Sequence, residues 1–276
     1  VEDWLFRTGI SQSHDFSMSG GTDDVNYYAS LGYLNTEGIA LQQGFEKLNA
    51  RLNVDAKLGE RFTTGISFNG FTSDRGILAH DQRDLLRAYS ISPIYHTAAS
   101  IAFVQELDAK RQVLANAGVA VPGGDGGRID DPFDAGFRGG DAPFNNSIYT
   151  LEPGMTAQDW HYGRNQNGIG GTGDAGPATK LDNARQTEKT YFANVSGYLQ
   201  YSILDGLNLK TVLGSDFNDV QEYFYKGLES DSQARGNQTN LDQTDLKVSS
   251  VLSETTLSYT KVINDKHDIS AVAGIE

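Results

Sequence analysis

The sequence predicts an all-β chain, an antiparallel up-and-down membrane β-barrel fragment of about eight long strands. Three observations predict it. Side chains alternate between apolar and polar over stretches too long for ordinary soluble strands. Aromatic residues stand about one bilayer's apolar thickness apart on one strand. And the connections between strands alternate between short and long along the whole chain.

Alternation is cleanest in EKLNARLNVDAKL. Lys47, Asn49, Arg51, Asn53, Asp55 and Lys57 share one parity, while Leu48, Ala50, Leu52, Val54, Ala56 and Leu58 share the other. A period of two means a strand with one wet and one dry face. At roughly 3.3 Å per residue, such a run spans about 40 Å, and tilted it rises roughly 30 Å, near the thickness of a hydrocarbon layer. The same pattern predicts strands over about 10–19, 25–35, 45–58, 62–72, 189–202, 207–217, 246–260 and 267–276. In NYYASLGYL, Tyr27, Leu31 and Tyr33 face one way, and Asn26, Ser30 and Gly32 the other. In the fifth strand Tyr191, Val195, Leu199 and Tyr201 share a face, opposite Asn194, Ser196 and Gln200. Its two tyrosines lie about 25 Å apart along the membrane normal after tilt, the spacing of the aromatic girdles of a barrel.

The connections sort by length. GGTDD (20–24), LGER (58–61), ILDG (203–206) and VINDK (262–266) are short. NTEGIALQQG (35–44), an excursion over about 73–188, and residues 218–245 are longer and alternate with them. A membrane barrel carries tight turns on its periplasmic rim and loops on the other, whereas Greek-key sandwiches do not sort connections this way. Within the excursion, DQRDLLRAYS (81–90) predicts a short helix that Pro93 would stop. Residues 98–118 predict a second, with Ile101, Val104, Leu107 and Leu114 near helical spacing.

Composition bounds the rest. No apolar run is long enough for a transmembrane helix. The absence of Cys removes disulfides and thiolate metal sites. A net charge of −14 argues against nucleic acid as a partner, since no basic patch offsets phosphate repulsion.

With these strands and turns in place, the chain resembles SusC/RagA-type TonB-dependent outer-membrane transporters. The SGGT turn at Ser19–Thr22, YYASLGYLNTEGI at Tyr27–Ile39 and GFEKLNARLN at Gly44–Asn53 carry the match. PATKL (177–181), YFANVSGYLQYSILDGLNLKTVLGSDF and the closing KHDISAVAGIE fit the same pattern in the same order. Together they cover about half of the chain. The resemblance implies a 22-stranded barrel around an N-terminal plug, of which residues 1–276 would hold strands two to nine, with the long extracellular loop at about 73–188. Plug, TonB-interacting box and signal peptide would lie outside this stretch. Eight strands of 22 would leave two raw edges, so the piece is not expected to fold alone as a native barrel.

By the same resemblance the protein is a non-enzymatic importer in a bacterial cell outer membrane. It would take up oligosaccharide or peptide, with energy delivered through TonB and a SusD-like surface lipoprotein as partner. Two alternatives stand beside this reading. One is a TonB-dependent receptor for siderophore or cobalamin; the other, of a different class, is a secreted soluble β-sandwich acting as a glycan-binding or adhesin module.

Candidate sites are few. Leu48, Leu52, Val54, Tyr191, Val195, Leu199 and Tyr201 are expected to face lipid, and Lys47, Asn49, Arg51, Asn53 and Asp55 the lumen or plug. Charges in that inward set are expected to pair with groups outside this stretch. Phe133, Phe137, Trp160 and Tyr162, set among Asp and Asn, are the candidate substrate or lid contacts. GIGGTGDAG (168–176) contains G-x-G-x-x-G but lacks the flanking strand and helix of a dinucleotide site. DGGRIDDPFD (125–134) lacks the spacing of a calcium loop, and its Asp130 and Asp131 are adjacent rather than opposed, as glycoside hydrolysis would require. The scattered histidines His14, His80, His96, His161 and His267 show no metal-ligand spacing. No nucleophile elbow is present, so neither catalytic residues nor a cofactor or metal site is expected.

Overall fold

The computed structural model describes residues 2–86, 93–117, 151–157, 176–227, 239–263 and 267–276. Eight strands appear in it: β1 (Ser11–Gly21), β2 (Val25–Glu37), β3 (Gly44–Leu58), β4 (Phe62–Ile77), β5 (Ala184–Leu204), β6 (Leu207–Lys226), β7 (Asn240–Ile263) and β8 (His267–Ile275). They form one antiparallel sheet in sequence order, β1 to β8, with β1 and β8 as its free edges. A sandwich would need two stacked sheets around a dry centre. Here there is one sheet.

Every predicted strand is present, but four run well beyond the alternation. β4 continues to Ile77, β5 begins at Ala184, β6 reaches Lys226 and β7 starts at Asn240. The reason lies in SDRGI, ARQTEK and NLDQTD, where both parities turn largely polar, and in NDVQEYFYK, where charged and aromatic residues mix on both parities. Backbone pairing needs no apolar face, so the ladder outruns the pattern that reveals it. All four extensions lie on the rim that carries the longer connections.

The opposite rim is made of tight turns at 22–24, 59–61 and 205–206, with β7 ending at Ile263 and β8 beginning at His267. In the first, Thr22 Oγ1 accepts from the backbone N–H groups of Asp24 (3.3 Å) and Val25 (3.2 Å). In the third, Gly206 has φ +81 and packs so closely that a Cβ would lie 2.1 Å from the Thr260 carbonyl oxygen. Only glycine fits there.

Among the described residues four helices lie at or above the long-connection rim: α1 (Glu2–Leu5), α2 (Gln82–Leu86), α3 (Ala98–Asn116) and α4 (Pro177–Asp182). The sequence predicts α2 and α3. Residues 87–90 of the predicted 81–90 helix lie outside the described ones. At the start of α3, the Ser100 N–H donates to Thr97 Oγ1 (3.2 Å) and the Thr97 N–H to Ser100 Oγ (2.9 Å). These reciprocal bonds satisfy two backbone donors of the first turn. α1 and α4 escape prediction because each is a single turn or little more, too short to show a period. In α4, Pro177 takes a first-turn place where its missing N–H costs nothing. No described helix is long and apolar enough to cross a membrane.

The hydrophobic core is not in the sheet. The described apolar residues that are buried are Leu5, Ala40, Ala79, Leu85, Ile101, Val104, Leu151, Ala157, Ala178, Leu181 and Ala184. Of these, only Ala184, at its very start, belongs to a strand. Leu5, Leu85 and Leu181 pack together with Trp4, Phe6, Leu41, Leu78 and Leu86 into one cluster on the rim.

Candidate functional site

Directly opposed residues in an antiparallel pair point to the same face, so register sorts the side chains. Leu48 pairs with Tyr33 and Thr72, Leu52 with Ala29 and Phe68, and Val54 with Tyr27 and Ile66. Across β4 the same rows continue to Tyr191, Val195 and Gly197, and Leu199 and Tyr201 lie opposite Thr64 and Phe62. Leu48, Leu52, Val54, Tyr191, Val195, Leu199 and Tyr201 therefore lie on one face of the sheet. Among the described residues this face carries no charged side chain over Tyr27–Tyr33, Leu48–Leu58, Phe62–Thr72, Tyr191–Tyr201, Leu207–Phe217 or Ser249–Tyr259.

Aromatic residues border this band. Phe62 stacks on Tyr201 at 4.8 Å beside the tight turns, in line with Tyr27 and Tyr259, and Tyr33 and Tyr191 stand at the other edge. At that second edge, where Asp219 lies opposite Tyr191, and just beyond it, charge appears. Lys189 pairs with Asp74 and Lys247 with Asp219, each at 3.5 Å.

The band is exposed. Leu48 (49%), Val195 (45%), Leu199 (49%) and Leu213 (59%) keep about half of their surface uncovered, and among the described residues no second layer packs on them. On the opposite face of β5, the polar Asn194, Ser196 and Tyr198 are half-buried. That is the reverse of a water-soluble sheet, in which the apolar face is the covered one.

The polar face collects Lys47, Asn49, Arg51, Asn53 and Asp55, opposite Ser73, Phe71, Asn69, Ser67 and Gly65. A network runs along it. The Tyr198 hydroxyl donates to Asp55 Oδ1 (2.8 Å), and the Lys210 ammonium sits 4.4 Å above the Tyr198 ring. Ser67 donates to Asn53 Oδ1 (2.8 Å). Asp216 accepts from Asn194 (2.5 Å) and from Ser250 (3.0 Å). Phe71 stacks on Phe192 at 5.3 Å, with Lys47 4.2 Å over the Phe71 ring. Arg51 stands 5.9 Å over Tyr28. Lys47, Arg51 and Asp55 thus find partners inside the wall itself, not only beyond it.

Sequence reading missed Phe71, Phe192, Tyr198, Lys210 and Asp216. Parity alone assigns Phe192 and Tyr198 to the polar face, but only register shows that Tyr198 reaches Asp55, which lies far away in sequence.

The rim holds the second set of contacts. Gln42 donates through Nε2 to the carbonyls of Leu181 (2.6 Å) and Ala184 (2.9 Å). Residues 93–97 run beside 151–157 through bonds from His96 N to Met155 O (2.7 Å), Gly154 N to His96 O (2.8 Å) and Ala157 N to Ile94 O (3.0 Å). His96 is buried there, and desolvation holds its imidazole below the ordinary value near 6.5. Its Nδ1 is 3.1 Å from Ser100 Oγ. His14 stacks on Tyr33 at 6.5 Å on the dry face.

Phe133, Phe137, Trp160 and Tyr162 lie outside the described residues, as do DGGRIDDPFD, His161 and all of GIGGTGDAG except Gly176. A cavity of about 390 Å³ lies under Gln42, lined by Asp74, Gly76, Leu181, Asp182, Arg185 and Thr187 among others.

No family model matches the chain. In sequence it is similar to the TonB-dependent receptor SusC of Bacteroides thetaiotaomicron, 24% identical over 219 residues, which are 78% of this chain and 18% of that protein. It is also similar to TonB-dependent receptor P26 of Formosa agariphila, 31% identical over 88 residues, 31% of this chain and 9% of that protein. In fold it matches a solved structure of the RagAB peptide transporter (TM-score 0.56, 20% identity) and one of the RagAB peptide importer in a closed-closed state (0.58, 21%). Each match covers 99% of this chain and 24% of the other, so the chain spans about a quarter of the transporter structures it resembles.

Proposed function

We propose that this chain, whose sequence and fold resemble SusC/RagA-type TonB-dependent receptors, is part of the wall of an outer-membrane nutrient importer. The dry face meets lipid and the polar face lines the lumen or the plug. One observation carries this reading: in register over the sheet, large apolar side chains stand exposed with no charge among them, while in β5 the polar side chains on the opposite face are the more covered ones. In water such a face would draw partners or aggregate. In a bilayer it is the face that hydrocarbon requires, because a Lys or Arg at the midplane costs about 2–4 kcal/mol. The flanking aromatics and the ion pairs beyond Tyr191 then fall at headgroup level.

In this reading the tight turns point to the periplasm and the long connections to the outside. Cargo is oligosaccharide or peptide, peptide being what the name of the RagAB transporter gives for that protein. A SusD-like lipoprotein closes the mouth, and TonB supplies energy through a part of the protein outside this chain. Phe133, Phe137, Trp160 and Tyr162 are the cargo or lid contacts in this reading. The wall itself has no chemistry to perform. Its hydrogen-bonded polar face gives a passing solute many weak, replaceable contacts rather than one deep site.

Deleting the gene that encodes the full-length protein and growing the strain on a panel of glycans and peptides tests this. Loss of growth on one class is expected. Unimpaired growth on every member of the panel would contradict the reading.

A further inference from the structure

Gln42 is the one described non-glycine residue with a positive φ, at 66°. A side chain in that left-handed region costs roughly 1–2 kcal/mol, so something must hold it. The tight turn around it is closed by Gln43 N–H donating to Ala40 O (3.2 Å). Its carboxamide nitrogen spends both hydrogens on Leu181 O and Ala184 O, two carbonyls at the end of α4 and the start of β5. Gly76 sits so near that a Cβ would lie 2.3 Å from the Gln42 carbonyl oxygen. The turn is therefore packed from one side and bonded from the other.

Beneath it lies the rim cluster of Leu5, Leu85 and Leu181, all buried. α1 is tied to the same turn by Leu41 N–H donating to Leu5 O (3.0 Å) and Arg7 N–H to Ile39 O (2.7 Å). From α4, Thr179 Oγ1 donates to Thr156 Oγ1 (2.7 Å), which connects the described inner part of the long excursion. Trp4 reaches the same part by an edge contact with Tyr95 at 6.5 Å. Four stretches far apart in sequence thus meet at one place: residues 4–7, 38–43, 76–86 and 177–184.

We infer that Gln42 and this cluster form a clasp that fixes the two described feet of the long excursion, residues 76–86 and 177–184, to the β2–β3 connection, so that these stretches loosen together. These feet are therefore not free to swing on the ends of β4 and β5. They are coupled to a neighbouring connection, and whatever displaces one displaces the other. The clasp lies wholly on the rim, so it holds whether or not the dry face meets lipid.

Hydrogen exchange on the full-length protein tests it. In Gln42→Ala, peptides covering 177–184 and 38–43 should exchange about tenfold faster or more, with 191–201 unchanged. Gln42→Gly relieves the backbone but lacks the amide, and should loosen the same peptides. Restored protection in that variant would mean that the bonds are not the latch. Leu85→Ala should loosen 38–43 as well as 82–86. Loosening confined to 82–86 would show the segments to be independent and overturn the proposal. Should Gln42→Ala fail to assemble, Gln42→Asn, with a shorter reach, is expected to give the same loosening, and wild-type exchange in it would equally overturn the clasp.

Discussion

The sheet and the rim of this molecule use the hydrophobic effect in opposite ways. On the rim, Leu5, Leu85 and Leu181 are buried against each other, as in any water-soluble domain. In the sheet, Val195, Leu199 and Leu213 keep about half of their surface exposed, and no described layer packs over them. The difference teaches where each part gets its stability. The rim carries its own solvent-excluded core; the sheet has backbone pairing but depends on its surroundings for everything on its apolar face.

That contrast can be broken most sharply at mid-band. Val195→Arg should abolish or severely reduce assembled barrel in the outer-membrane fraction, at a cost of about 2–4 kcal/mol. Asn194→Arg, one residue away on the other face, should assemble near wild-type levels. Equal tolerance of both would erase the distinction between the faces.

The rim should respond like an ordinary core. Leu85→Ala is expected to cost the cluster about 2–3 kcal/mol, seen as local exchange at the rim while the strands keep their protection. Global loss of the barrel would mean that rim and wall are not separate in stability.

A smaller effect belongs to the polar wall. Tyr198→Phe removes the hydroxyl that donates to Asp55 and should lower the denaturation midpoint by an amount worth about 1 kcal/mol. The cost stays modest because both groups lie where water can partly replace the bond. An unchanged midpoint would leave the Tyr198–Asp55 bond without weight.

The mildest effect is set by pH. Burial lowers the His96 pKa below its ordinary value near 6.5, so the docked form prefers neutral imidazole. Unfolded or undocked chains then take up the proton first. The contribution is fully present above about 6.5 and falls as pH drops from there through the folded value. Exchange of 93–97 and 151–157, corrected for its intrinsic pH dependence, should rise between pH 7.5 and 5.5, and His96→Gln should remove that dependence. Persistence of the trend in His96→Gln would assign it to another group.

Much of the wall is legible in the sequence because a strand announces its faces every second residue. Leu48, Leu52 and Val54 could be separated from Lys47, Arg51 and Asp55 without coordinates, and the length of each connection indicated the rim to which it belongs. What stayed hidden has physical reasons. The bond from Tyr198 to Asp55 depends on pairing β3 through β4 to β5, a register no single strand encodes. Strand ends such as ARQTEK pair without an apolar face, so no pattern reports them. The rim cluster is built from stretches of a few residues each, too short for any period, and Gln42 is one glutamine among several until its φ and its two carbonyl partners are seen.

The most direct test replaces Ala193, Asn194, Val195, Ser196, Gly197, Tyr198 and Leu199 one at a time with spin-labelled cysteine in the full-length protein, reconstituted in lipid. Oxygen, which partitions into hydrocarbon, should relax labels at 193, 195, 197 and 199 most strongly, and a water-soluble nickel complex those at 194, 196 and 198. Equal access of the nickel complex to both sets would contradict a lipid-facing band.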